Sequence, residues 1–171
     1  MSLVGFKAQN HPQQSKKDAV DDRGTDPEFF ARMVEEFGPF TIDVAAAPHN
    51  AKCERFYTID DDGLAQPWSG ESVWCNPPYS DIGAWVRKAW GEWLNPGDSE
   101  PPRGLVMLLP ANRTEQRWWQ EHVEPFRDRS DEFQVRFLPG RMRFIRPGRT
   151  EIGPNERPPF GCCLLVWRRV R

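Results

Sequence analysis

Long apolar runs are missing from this 171-residue chain. No stretch nears the roughly 20 residues that cross a bilayer, so one soluble domain with a sizeable core and no membrane partner is expected. Met1 to Gly24 lacks the apolar segment of a signal peptide, which points to the cytoplasm. Residues 1–24 are polar and read as a disordered lead, leaving residues 25–171 as a single domain. Histidine is scarce, and the four cysteines (Cys53, Cys75, Cys162, Cys163) make no Cys-x-x-Cys pair and no framework with the three histidines. Buried thiols are therefore expected, and no metal. Lysine is absent beyond residue 100: residues 101–171 carry 14 arginines against 8 acids, whereas residues 1–100 carry 9 basic and 17 acidic side chains. The formal net charge of −2 hides this asymmetry. Guanidinium suits bidentate phosphate contacts, so the second half is either a nucleic-acid face or a solvated one.

A glycine-rich nucleotide turn is absent as well. The strand expected over Phe40 to Ala46 runs into Ala45-Ala46-Ala47-Pro48, where a cofactor-binding α/β sheet usually places glycines. Asp43 stands in that strand in apolar company. It reads either as an acid at a cofactor edge or as one capped aspartate in a core strand.

What the chain does have is Trp74-Cys75-Asn76-Pro77-Pro78-Tyr79-Ser80. Each proline fixes its own φ and restricts the residue before it, so Asn76 and Pro77 form a stiff segment. Prolines carry no N–H, so the Pro77 carbonyl and the Asn76 side-chain oxygen can face a cavity as two acceptors without a competing donor. Such a pair suits an exocyclic amino group on an aromatic base: gripping its hydrogens favours pyramidal nitrogen and frees the lone pair. Tyr79 offers a flat face for a base taken out of its helix. A Pro-Pro turn closing a strand would use the same dipeptide, but the run Val73-Trp74-Cys75 before it favours the functional reading.

Around this loop the pattern predicts alternating strands and helices. Thr25 and Glu28 match a capping box and Pro27 suits a first turn, so a helix is expected up to Gly38-Pro39 with Phe29, Phe30, Met33, Val34 and Phe37 at helical spacing. A strand over Arg55 to Thr58 leads to Asp60-Asp61-Asp62-Gly63. These acids form a solvated turn or include one that accepts from a ribose or adenine; the EF-hand spacing is absent. Ser72 to Cys75 delivers the Asn-Pro-Pro-Tyr loop, and Ser80 is expected to cap the helix carrying Ile82, Trp85, Val86, Ala89, Trp90, Trp93 and Leu94. Leu105 to Leu109 reads as a central strand buried on both faces, hence a parallel sheet centre. Thr114 is expected to cap a helix to about Val123 that buries Trp118 or Trp119, His122 and Phe126. Phe133 to Phe137 and Met142 to Phe144 read as a strand, a bend and an extension, and Phe160 to Trp167 as the last strand. Ligands of open α/β sheets sit beyond the carboxyl ends of strands, which places Asn112, Arg113 and Arg117 near a substrate backbone. Arg141 and Arg143, with Arg146 and Arg149, extend the same basic surface into a loop reaching Pro159.

Asp43-Val44-Ala45-Ala46, Asn50-Ala51-Lys52-Cys53, Asp61-Asp62-Gly63-Leu64, Gln66-Pro67-Trp68, Val73 to Tyr79 and Leu108-Leu109-Pro110-Ala111 follow one another in this order. On these residues the chain, from about Gly24 to Trp167, resembles the phage-encoded DNA N6-adenine methyltransferases, a Dam-like branch of the class I S-adenosylmethionine-dependent enzymes. The resemblance implies a reduced Rossmann-like methyltransferase sheet, mostly parallel with an antiparallel last strand and helices on both faces. It implies S-adenosylmethionine near Thr25, Asp43, Val44, Ala45, Asp61 and Asn76, a flipped adenine of double-stranded DNA at Asn76, Pro77 and Tyr79, and a bacterial host's cytoplasm. The family's usual Thr-Pro is here Thr25-Asp26-Pro27. No target-recognition domain is recognisable, so sequence preference is expected to come from loops. Phosphate contacts are expected from Arg113, Arg117, Arg141 and Arg143. Enzymes that methylate cytosine, an RNA base or protein glutamine share the tetrapeptide, and a non-catalytic DNA-binding relic is a further alternative.

Overall fold

Successive side chains of a strand point to opposite faces, so the run Leu105 to Leu109 requires cover on both sides of whatever sheet contains it. The computed structural model, which describes residues 23–146, 148–153 and 157–169, provides that cover. In chain order the elements are β1 (Gly24–Thr25), α1 (Pro27–Phe37), β2 (Ile42–Asp43), β3 (Arg55–Phe56), β4 (Ser72–Cys75), α2 (Ile82–Leu94), β5 (Gly104–Pro110), α3 (Arg117–His122), β6 (Phe133–Phe137), β7 (Phe144–Ile145) and β8 (Cys162–Arg168).

Six strands form one sheet in the order β3-β2-β4-β5-β8-β6. β3, β2, β4 and β5 run parallel, and β8 lies antiparallel between β5 and β6. This is the mostly parallel sheet with an antiparallel last strand that the resemblance implied. One face buries Val73, Leu105, Met107 and Trp167 under Trp85, Val86, Ala89 and Trp93 of α2 and Trp118 and Trp119 of α3. The other buries Trp74, Val106, Leu108, Leu164 and Val166 under Phe29 and Met33 of α1 and Phe144 of β7. Helices therefore stand on both faces. Each fully buried aliphatic side chain contributes roughly 1.5–3 kcal/mol, so a charge at Leu108 would be expected to unfold the domain.

Several boundaries differ from the sequence expectation. Of the lead expected over residues 1–24, residues 1–22 lie outside the described residues, but Gly24 does not belong to it: Gly24 and Thr25 pair antiparallel with Ile145 and Phe144. That pairing draws Thr25 away from the helix, and Asp26 caps α1 instead, its carboxylate accepting from Glu28 N at 2.9 Å. Phe144 consequently does not extend the large sheet. β2 ends at Asp43 because the Asp43 side chain takes the Ala45 N–H. Asp81 rather than Ser80 stands at the cap of α2, and α3 begins only at Arg117, after Gln116, not at Thr114. Both Trp118 and Trp119 are buried, whereas Phe126 sits on a 3-10 turn, partly exposed, against Trp90.

The thiols are free, with Cys75, Cys162 and Cys163 buried. Burial pushes Cys53, Cys162 and Cys163 up to about 12, which keeps them unreactive. Among the described residues no helix is long and apolar enough to cross a membrane, and no cluster of three or more His, Cys, Asp or Glu side chains stands ready for a metal.

Candidate functional site

β4 ends at Cys75, so the stiff Asn76-Pro77-Pro78-Tyr79 loop emerges at the carboxyl edge of the parallel strands. Asp43 lies opposite Trp74 in register, which sets the loop after β2 beside it. The Asn76 amide nitrogen donates to the Arg23 carbonyl at 3.3 Å and to the Thr25 hydroxyl at 3.2 Å. Pro77 is buried and Pro78 half-buried. Tyr79 departs from expectation. It is only 8% exposed, its ring leaning edge-on against Phe160 at 6.1 Å, so no open aromatic face is presented. Its hydroxyl lies buried near the Cys162 thiol without a hydrogen bond of good geometry, and burial raises its pKa well above the ordinary value. An Arg113 Nη donates to the Tyr79 carbonyl and braces the loop from outside.

On the β2 side, Asp43 caps the backbone of the loop that follows its strand. It is 3% exposed, one carboxylate oxygen accepting from Ala45 N at 3.3 Å and the other from Lys52 N at 3.0 Å. Desolvation raises its pKa to about 6 even though these N–H groups favour the charged form. Asp43 thus closes the loop 44–52. Val44 is wholly buried, so its side chain is withdrawn from any ligand and only its backbone is left for contact. Its carbonyl abuts Gly63, where a Cβ would stand 2.2 Å from that oxygen. Trp68 holds the Gly63 turn from below, its indole N–H donating to the Gly63 carbonyl at 3.0 Å. Asp61 is exposed and caps its own turn, one oxygen taking the N–H and hydroxyl of Thr58 at 2.8 Å each. Those bonds hold its carboxyl below the ordinary value. Neighbouring Ile59 is 92% exposed.

A recess of about 210 Å³ opens between Gly24, Pro27, the 49–52 segment and Ile145. Lys52 borders it, with its ammonium pKa lowered by burial although Asp43 and Asp26 pull it upward. Lys52 gives this recess a cation, while Ala45 to Ala47, the exposed Ile59 and the acidic 60–62 turn lie outside its lining.

On the other side of the Asn76 loop lies an open groove of about 630 Å³ bordered by Tyr79, Asp81, Arg87, Arg113, Arg117 and His122. Arg113 and Arg117 meet there. Arg117 pairs with Glu121 at 2.6 Å. Arg141 and Arg143 do not line this groove; Arg141 is exposed and Arg143 stands 3.7 Å from Asp26.

A family profile for DNA N-6-adenine-methyltransferase (Dam) matches residues 13–171. The chain belongs to the Dam family. It is 33% identical over 118 residues to the DNA N-6-adenine-methyltransferase of Escherichia phage T1, a match covering 68% of this chain and 44% of the phage protein. A putative methyltransferase of Escherichia coli K12, YfdM, is 34% identical over 76 residues, covering 41% of this chain and 84% of that protein. The DNA N-6-adenine-methyltransferase of Haemophilus phage HP1 is 38% identical over 50 residues, 29% of each chain. The chain thus spans less than half the length of the two phage relatives it matches.

For this Dam-family chain, sequence reasoning located the loop and both flanking turns but missed three cations. Arg87 hides in the stripe of α2, where helical spacing announces only the buried side. Lys52 stands within Asn50-Ala51-Lys52-Cys53, where nothing in the spacing singles out the cation. Arg23 falls in a segment read as a lead; its Nε is buried without a partner, and only its place beside Gly24-Thr25 could have marked it.

Proposed function

We propose that this Dam-family chain transfers the sulfonium methyl group of S-adenosylmethionine to N6 of adenine in double-stranded DNA, in the cytoplasm of a bacterial host. The observation that carries this reading is the Asn76 amide, tied by its nitrogen to Arg23 and Thr25 at the start of a loop whose Pro77 carbonyl has no neighbouring N–H to compete with it. The cofactor would be held at the loop closed by Asp43, with Ile59 and the Asp61 turn at its base and ribose and Lys52 toward its carboxylate. When bound, it supplies an electrophilic methyl group.

Asn76 Oδ1 and the Pro77 carbonyl accept the two N6 hydrogens as the nitrogen becomes pyramidal, so its lone pair points at the methyl carbon. The new N–C bond would form as the S–C bond breaks, and N6 would then shed one proton to solvent. Positioning and preorganised acceptors supply the catalysis. A base at this loop meets the Tyr79 face only after the ring leaves Phe160, and its unbonded hydroxyl has no hydrogen bond to lose on the way. Arg113 keeps the Tyr79 backbone in place meanwhile. Arg117, Arg141 and Arg143 take phosphates, and the duplex must release the adenine from its stack.

Transfer of tritiated methyl to unmethylated duplex DNA, with RNA and protein as parallel acceptors, tests the reading. Label on adenine N6 is expected. Label on cytosine, RNA or protein instead would move the activity to another planar amino group, and DNA binding with no label on any acceptor would leave a relic.

A further inference from the structure

A primary amide has two ends of nearly equal shape and opposite hydrogen-bonding character. For Asn76 the partner decides which end is which. The Arg23 carbonyl can only accept, so the amide end 3.3 Å from it is the nitrogen. A flipped amide would set two oxygens against each other there. The Thr25 hydroxyl, 3.2 Å from the same nitrogen, accepts the other N–H. Both amide hydrogens are then engaged on one side, and Oδ1 is turned to the opposite side.

We propose that β1 is a clamp that sets the orientation of the Asn76 amide and that Thr25 is a positioning residue for the methyl transfer rather than a cofactor ligand. This rests on the adenine-N6 reading above. The backbone around Asn76 is already stiffened by Pro77, so side-chain rotation is the freedom left to remove. Thr25 can remove it because it is itself immobilised: it is 2% exposed and paired with Phe144, while Gly24 pairs with Ile145. Without the hydroxyl, Asn76 keeps only the longer bond to Arg23, and its oxygen is free to leave the line along which an N6 hydrogen must be gripped. A misaimed acceptor impairs the transition state more than binding, because the grip tightens only as nitrogen becomes pyramidal. The cofactor-ligand role expected of Thr25 makes the opposite forecast.

The experiment compares Thr25→Val, which keeps shape and loses the acceptor, with Thr25→Ser, which keeps the acceptor, in the full chain and again in an Asn76→Ala background. Turnover on duplex DNA, KM for DNA and calorimetric affinity for S-adenosylhomocysteine are read for each. Thr25→Val is expected to lower kcat about tenfold or more, with KM and S-adenosylhomocysteine affinity within about twofold, as for an interaction made in the transition state. Thr25→Ser should recover most of the rate, and Thr25→Val should add nothing once Asn76 is Ala. Weakened S-adenosylhomocysteine affinity with kcat intact would return Thr25 to the cofactor, and an equal loss in the Asn76→Ala background would make it merely structural; either overturns the clamp. If the wild type labels no DNA, the adenine reading fails separately, and nitrogen-15 spectra still decide the clamp. The Asn76 side-chain amide signal should shift or broaden in Thr25→Val, and an unchanged signal overturns the proposal.

Discussion

The carboxylate of Asp43 accepts the backbone N–H of Lys52 at 3.0 Å, nine positions further along the chain. Removing it opens the loop at both Ala45 and Lys52. Asp43→Ala is therefore expected to fold and to lose affinity for S-adenosylhomocysteine by calorimetry, while Asp61→Ala, which releases only the Thr58 turn, loses less. Unchanged affinity in a folded Asp43→Ala protein would remove this loop from the cofactor site.

The same residue has a pH signature. Its folded pKa, about 6, lies above the ordinary 3.8, so the fold prefers the protonated form. The stability this contributes is fully present below about pH 4 and is lost as pH rises through 6, by about 3 kcal/mol at most. In urea melts, the advantage of wild type over Asp43→Ala should shrink between pH 4 and 7. A widening gap would mean a depressed pKa.

Gly63 approaches the Val44 carbonyl so closely that a Cβ would lie 2.2 Å from that oxygen and 3.1 Å from the Trp85 ring. Backbone must move to admit it. Gly63→Ala is expected to destabilise by about 1–3 kcal/mol and to weaken S-adenosylhomocysteine binding. Thermal melts and calorimetry on one preparation check both, and a neutral substitution would show the two loops to be uncoupled.

DNA affinity should fall as salt rises, with Arg117→Ala, Arg141→Ala and Arg143→Ala each lowering the log–log slope by about one. Arg113→Ala should lower kcat as well, because Arg113 also braces the Tyr79 carbonyl. Fluorescence anisotropy across a salt series, paired with turnover, separates these effects. Salt-independent affinity would contradict the basic surface.

Asn76 and Tyr79 should fail differently. Asn76→Ala is expected to bind cofactor and DNA almost normally while turnover falls ~100-fold or more. Tyr79→Phe deletes a buried hydroxyl without a partner, so stability should hold or rise and activity persist. Tyr79→Ala should lose stability by about 3–5 kcal/mol from the cavity and base stacking by roughly 1–3 kcal/mol. Tyr79→Trp is expected to crowd Phe160 because the ring site is closed. If Tyr79→Phe is as inactive as Tyr79→Ala, this loop is not an amino-group pocket.

Much of the architecture was legible because it is written in neighbours. The unbroken run Leu105 to Leu109 demands a strand covered twice, and helical spacing from Ile82 to Leu94 demands a helix with one buried side. Pro77 and Pro78 stiffen their own loop whatever surrounds it. The site's central stretch and the parallel sheet centre therefore followed from the sequence alone.

What only the tertiary structure decided was which of several local options each residue takes up. Thr25 is as good a helix cap as Asp26 until Phe144 pairs with it. Asn76 has an amide of undefined direction until Arg23 and Thr25 arrive from 53 and 51 residues away. Arg136 is one more basic residue until it meets Glu36 at 2.6 Å and lies over the Phe37 ring. Tyr79 looks like an open stacking face until Phe160 covers it. Sterics and periodicity act between residues close in the chain, whereas capping, amide direction, ion pairing and burial depend on groups that approach only when the sheet order has closed the loops between them.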